Sequence, residues 1–133
     1  MSQVIPEKYA DLLEKQAFAN LGTLMKDGSP QVTPVWVDYD GKFVRINSAK
    51  GRVKDKNIRR DPRVSVSIQD PANPYRYLEI RGDAEISPDD DYSFAARLGA
   101  KYHANLRDHD GPGQSRVKVI IRPVRINAVD MGT

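Results

Sequence analysis

FANLGTLMKDGSPQVTPVWVDYDGKFVRIN, residues 18–47, is the stretch that sets the fold class. Phe18 to Lys26 runs into Asp27-Gly28-Ser29-Pro30, Gln31 to Val37 runs into Asp38-Tyr39-Asp40-Gly41, and Phe43 to Asn47 follows. Both breaks are turn chemistry, since glycine supplies positive φ and Asp or Ser bonds its own backbone. Three consecutive strands joined by tight turns predict an antiparallel meander.

Working outward, Pro6 to about Gln16 suits a short helix whose Tyr9, Leu12, Leu13 and Ala17 form a partial apolar face, a lid on the main body. On the other side, Gly51 to Arg60 reads as a helix, ended where Pro62 disfavours helical geometry at Asp61. Val64, Val66 and Ile68 alternate with Ser65, Ser67 and Gln69, the period of a half-buried strand, and Pro71 to Pro74 breaks it. Tyr75 to Ile86 is a further strand in which Gly82 marks a bulge. Ser87-Pro88-Asp89-Asp90-Asp91 predicts a helix start leading to about Tyr102. His103 to Gln114 reads as an exposed loop, the segment expected to move, and Val117 to Val129 as one closing strand or two broken at Pro123. The expectation is a mainly β (α+β) domain spanning residues 1–133, an antiparallel barrel of six or seven strands with two to three short flanking helices.

Composition narrows the chemistry. The chain has 133 residues, enough for one core without staples, and no cysteine, which excludes disulfides, thiolate nucleophiles and cysteine-bound zinc. No metal site is expected. No apolar run approaches the length of a bilayer span, and the start lacks a leader pattern, so a soluble cytoplasmic protein is expected. His103 and His109 have no acid or nucleophile placed beside them, and Glu79, Asp83 and Glu85 read as a solvated strand face. No catalytic side chain is assigned.

Charge is concentrated in Asn47 to Arg63. Lys50, Arg52, Lys54, Lys56, Arg59, Arg60 and Arg63 stand against Asp55 and Asp61, a local +5 inside a chain of +3. A basic cluster on a weakly acidic remainder implies a local anion site. Ser48 ends a strand, Gly51 permits close backbone approach, and the helix that follows presents free N–H groups, so Lys50, Arg52 and Lys54 can converge on one phosphate. The alternative is a solvated basic helix. Neither Gly-x-x-x-x-Gly-Lys-[Ser/Thr] nor Gly-x-Gly-x-x-Gly occurs.

Gln31-Val32-Thr33-Pro34-Val35-Trp36-Val37, Asp40-Gly41-Lys42-Phe43 and the whole of Asn47 to Val64, above all Lys54-x-x-Asn57-x-x-x-Asp61-Pro62-Arg63, resemble the pyridoxamine-phosphate-oxidase-like split β-barrel flavoproteins. More narrowly the sequence is similar to their branch of deazaflavin (coenzyme F420)-dependent reductases, common in actinobacteria. The resemblance implies a split barrel, a homodimer with the cofactor groove between subunits, and hydride transfer to a small organic acceptor. In the flavin oxidases a hydroxyl residue and a lysine six positions later bind the cofactor phosphate, and Ser48 and Lys54 stand at those positions. Those oxidases carry arginine just before that lysine, where this chain has Val53, and Arg52 is the candidate to take over. Gln31, Thr33, Pro34, Val35 and Trp36 match the segment along the ring system, with Gly51 at the turn; Lys50, Lys56, Asn57 and Arg59 are candidates for the acidic tail of F420. Trp36 is either a ring-pocket wall or an ordinary core or interface aromatic.

Rival readings are an FMN-binding oxidase or reductase of the same fold, a non-catalytic F420 carrier, and a single-stranded nucleic-acid binder. The charge is compressed into one short helix with few aromatics interleaved, which argues against nucleic acid. Several cations suit a tail with several negative charges better than one FMN phosphate.

Overall fold

A computed structural model describes residues 3–105 and 114–131. Seven strands form one antiparallel sheet: β1 (Ala19–Leu24), β2 (Pro30–Val35), β3 (Val37–Tyr39), β4 (Val44–Ala49), β5 (Arg63–Asp70), β6 (Asn73–Pro88) and β7 (Arg116–Asp130). Their order is β2-β1-β5-β6-β7-β4-β3. Among the described residues three helices flank it, α1 (Asp11–Glu14), α2 (Val53–Arg60) and α3 (Ser93–Lys101), with a 3-10 turn at Glu7–Tyr9. The architecture is the mainly β split barrel expected, curled into a half-barrel.

The meander is a correction. β1 pairs with β2 and β3 with β4, but the two hairpins lie at opposite ends of the sheet, because β1 takes β5 as its other neighbour and β4 takes β7. The segment expected as one strand from Gln31 to Val37 breaks at Trp36: Val35 faces Ala19 of β1, whereas Val37 faces Ile46 of β4. One residue thus carries the chain from one edge of the sheet to the other.

Alternation explains the core. Leu21, Val66, Ile68, Leu78, Ile80, Val44, Ile46, Val119 and Ile121 are fully buried on the inner face, and Val64 and Ala84 are nearly so. The first helix is shorter than expected, a 3-10 turn followed by one α turn ending at Lys15 in extended conformation. It still closes the core: Leu12 and Leu13 are 0% exposed, and burial of each stabilises the lid by about 1.5–3 kcal/mol. Arg76 on β6 ties it down, with Nη2 2.6 Å from Asp11 and Nη1 2.9 Å from Asp70.

Gly82 does mark a bulge. The β6 to β7 register shifts between Arg81 and Gly82, leaving Val124 as the extra residue beside Pro123, and β7 continues through as one strand. The third helix begins later than expected. Strand geometry persists to Pro88, and Asp89, 5% exposed, reaches forward to accept the N–H groups of Phe94 and Ala95 at 3.0 and 2.8 Å. An acid at the positive end of the helix was legible; its distance from the first turn was not. Most of the expected mobile loop, residues 106–113, falls outside the described residues.

Candidate functional site

The end of β4, the start of α2, the start of β7 and the break between β2 and β3 meet at one cleft. After Ala49 the chain turns through Gly51 at φ +89°, a left-handed conformation that glycine adopts without strain. Asp55, 2% exposed, fixes this turn: one carboxylate oxygen accepts the Gly51 N–H at 2.8 Å and the other accepts Arg59 Nε at 3.0 Å. An acid in the first helical turn reaching back to the preceding backbone is a capping device. It brings Arg52 and Lys54 to the cleft wall.

The cleft has a volume of about 230 Å³ and is lined by Phe18, Pro34, Val35, Trp36, Asn47, Arg52, Lys54 and Arg116. One side is apolar and aromatic. On the other, burial pulls the Lys54 ammonium below the usual lysine range, and the charges of Arg52 and Arg116 push it further the same way. Among the described residues no carboxylate forms an ion pair with Arg52 or Lys54. Arg52 and Lys54 thus stand close together with like charge, at a cost that a bound anion relieves.

Two hydroxyls add to this. Ser48 Oγ, in a residue 1% exposed beside Asn47, and Thr33 Oγ1 on β2 are buried without a hydrogen-bond partner. Orphaned buried hydroxyls in folded proteins are uncommon and call for an explanation. A phosphate-bearing ligand with a flat polar-edged ring fits this set of donors and walls.

Of the residues expected from sequence, Pro34, Val35, Trp36, Arg52 and Lys54 line the cleft, and Ser48 and Thr33 neighbour it on the same strands. Gly51 shapes the turn. Lys50, Lys56 and Arg59 are exposed outside the lining, Arg59 paired with Asp55. Gln31 sits at the far end of β2, its amide oxygen accepting from Thr23 Oγ1. Asn57 is a correction: 1% exposed, it donates from Nδ2 to Thr23 Oγ1 at 3.0 Å and accepts from Arg60, so it fastens α2 to β1 and presents nothing to a ligand. Phe18, Asn47 and Arg116 were not anticipated. Arg116 is brought in by the pairing of Ala49 with Arg116, a contact between distant segments that no local pattern announces.

A larger cleft of about 580 Å³ crosses the outer face of the sheet, past Gly22, Val32, Ser65 and Ser67. Of its four arginines three are paired, Arg63 with Asp61 and Arg122 with Asp83 at 2.7 Å and Arg81 with Glu79 at 3.3 Å, whereas Arg125 forms no ion pair among the described residues. Size favours this cleft, but the smaller one sets Arg52 and Lys54, neither paired with a described carboxylate, opposite the Trp36 ring. Among the described residues no group of three or more His, Asp or Glu could hold a metal, and no helix is long and apolar enough to cross a membrane.

Comparison with known proteins finds relatives of this chain. The family described as Pyridoxamine 5'-phosphate oxidase matches residues 5–130. A solved structure named F420 Reductase is 38% identical, with 92% of this chain and 98% of that one covered and a TM-score of 0.83. A conserved hypothetical protein from Mycobacterium tuberculosis is 25% identical over 95% of this chain and 85% of its own, TM-score 0.73. A putative pyridoxamine 5'-phosphate oxidase from Listeria innocua, 24% identical over 89% and 92%, TM-score 0.67, shares the fold.

Proposed function

Because the chain belongs to the pyridoxamine 5'-phosphate oxidase family, we propose that it is an F420-dependent oxidoreductase that passes a hydride from reduced deazaflavin to an unsaturated organic acceptor, quinone-like or a cyclic enone or lactone. The observation that carries this reading is a single cleft joining a flat aromatic wall to Arg52 and Lys54, two cations with which no described carboxylate forms an ion pair. The 38% identity to a protein named F420 Reductase supports deazaflavin over FMN.

When bound, the deazaflavin supplies the hydride chemistry. The chain supplies position and charge. Lys54 and Arg52 hold the phosphate, with Ser48 donating its hydroxyl, and Thr33 to Trp36 lie along the ring with Trp36 as its wall. Lys50 and Lys56, exposed beyond the cleft, meet the acidic tail, and Arg59 adds to them while still paired with Asp55. No side chain is required as an acid or base. A cleft this shallow does not exclude water by itself, and we assign that task to a second copy of the chain seated on the outer face, where Gly22, Ser65 and Ser67 permit close approach and Val32 is 63% exposed.

The test is titration of the purified protein with F420 and, separately, with FMN, followed by fluorescence. Tight F420 binding is expected, and Lys54→Ala is expected to weaken it by about 1.5–3 kcal/mol through loss of a charge-assisted bond. Micromolar FMN binding with no F420 binding overturns the cofactor assignment. Binding of F420 without oxidation of its reduced form by any acceptor in a broad screen makes the protein a carrier.

A further inference from the structure

Trp36 belongs to neither flanking strand, yet its surroundings are held from behind. Val37, the next residue, opens β3, an edge strand whose outward backbone groups would otherwise face solvent. Both are taken by the end of α3 and the residue after it. The Val37 N–H donates to the Tyr102 hydroxyl at 3.2 Å, and the Val37 carbonyl accepts from Lys101 Nζ. The same hydroxyl donates to the Ala17 carbonyl at 2.6 Å, and Lys101 Nζ also donates to the Leu13 carbonyl at 2.6 Å. Above this clamp the Tyr102 ring stacks on the Trp36 indole, centroids 5.1 Å apart and planes 6° from parallel, and tilts against Phe18 at 5.6 Å. Phe18 and Trp36 line the cleft; Tyr102 does not.

We propose that Tyr102, seconded by Lys101, is a positioning residue that sets the orientation of the aromatic wall at Phe18 and Trp36 for the bound cofactor ring. This rests on the assignment of that cleft to the cofactor. A wall on an unpaired joint between two strands is free to swing unless something behind it fixes both backbone and ring. Tyr102 does both, accepting from the backbone on one side of Trp36 while its ring supports the indole. Its hydroxyl must donate and accept at once, which a neutral phenol does and phenylalanine or leucine cannot.

Trp36 is the only tryptophan in the chain, so its fluorescence reads the wall directly and without ligand. In Tyr102→Leu the emission is expected to move to longer wavelength and acrylamide quenching to increase, with F420 affinity lowered about threefold to tenfold, the scale of one lost aromatic stack. Tyr102→Phe keeps the stack, so its Trp36 quenching stays near that of the natural protein, while amide hydrogen exchange at Val37 quickens because its acceptor is gone. Unchanged Trp36 emission and quenching in Tyr102→Leu overturns the proposal. Should that variant fail to fold, unchanged Val37 exchange in Tyr102→Phe overturns it. Failure of the natural protein to bind F420 or FMN sinks the cofactor reading, while the ligand-free fluorescence still decides whether Tyr102 holds the wall.

Discussion

At Gly82 the backbone of β7 comes so close that a methyl group would sit 2.1 Å from the Arg122 carbonyl oxygen, well inside contact distance. The obstacle is main chain in a paired strand and cannot rotate away. Gly82→Ala is expected to lower stability by about 2–3 kcal/mol, read as a lower urea midpoint at unchanged slope. The bulge there was legible, because a glycine inside a strong strand pattern has few other uses. Lys54, Arg52 and Trp36 were legible for a different reason, as charge and aromatic residues at motif spacing. Asp55 was not, because a helix-capping acid and a solvated acid look alike until burial separates them: its 2% exposure makes it the residue that shapes the loop. Asn57 fails the opposite way, a motif residue whose work is internal.

Elements were read well where their signals are local and poorly where pairing is distant. Turn chemistry located the hairpins, but it carries no information on which strands insert between them; β5, β6 and β7 do so, β5 joining β1 across some 40 residues of chain. The lid formed by the 3-10 turn and α1 depends on a charge cluster that sequence alone does not assemble. Hydrogen bonding from Arg76 lowers the Asp11 carboxyl from 3.8 to about 2, and Asp70, held first by the Ala72 N–H and also by Arg76, is lowered too. A depressed folded-state value stabilises above pH 3.8 and is lost as pH falls toward 2. Because Asp11 is half exposed, solvent screening limits its share to about 1 kcal/mol or less. Arg76→Met is expected to melt lower than the natural protein at pH 6, with the gap narrowing by pH 2.5; thermal melts at the two pH values measure it. A constant gap would assign Arg76 to packing over the Tyr9 ring, 5.1 Å away, in place of charge.

For the whole molecule, the resemblance read from the sequence agreed with the family found by comparison, and the split barrel followed from it. The way the barrel folds round on itself did not, since it depends on which strands become edges. The outer face carries its own prediction. A glutamate in place of the exposed Val32 leaves the inner core untouched and places charge where a second copy is proposed to sit. Val32→Glu is expected to sediment as a monomer while keeping its melting temperature within a few degrees, and to bind F420 more weakly although Lys54 is intact. A variant that sediments as a dimer would move the proposed interface elsewhere.

A sheet ordinarily begins to come apart at its edges, where a strand has only one neighbour to hold it. Here the two edge strands are consecutive in the chain and meet at Trp36, inside the cleft. Fraying of either edge and dismantling of the cleft are therefore the same event. The ligand proposed to sit between Trp36 and Lys54 would act as a rivet across the seam of the barrel, its occupancy stabilising the part of the sheet that is otherwise first to open.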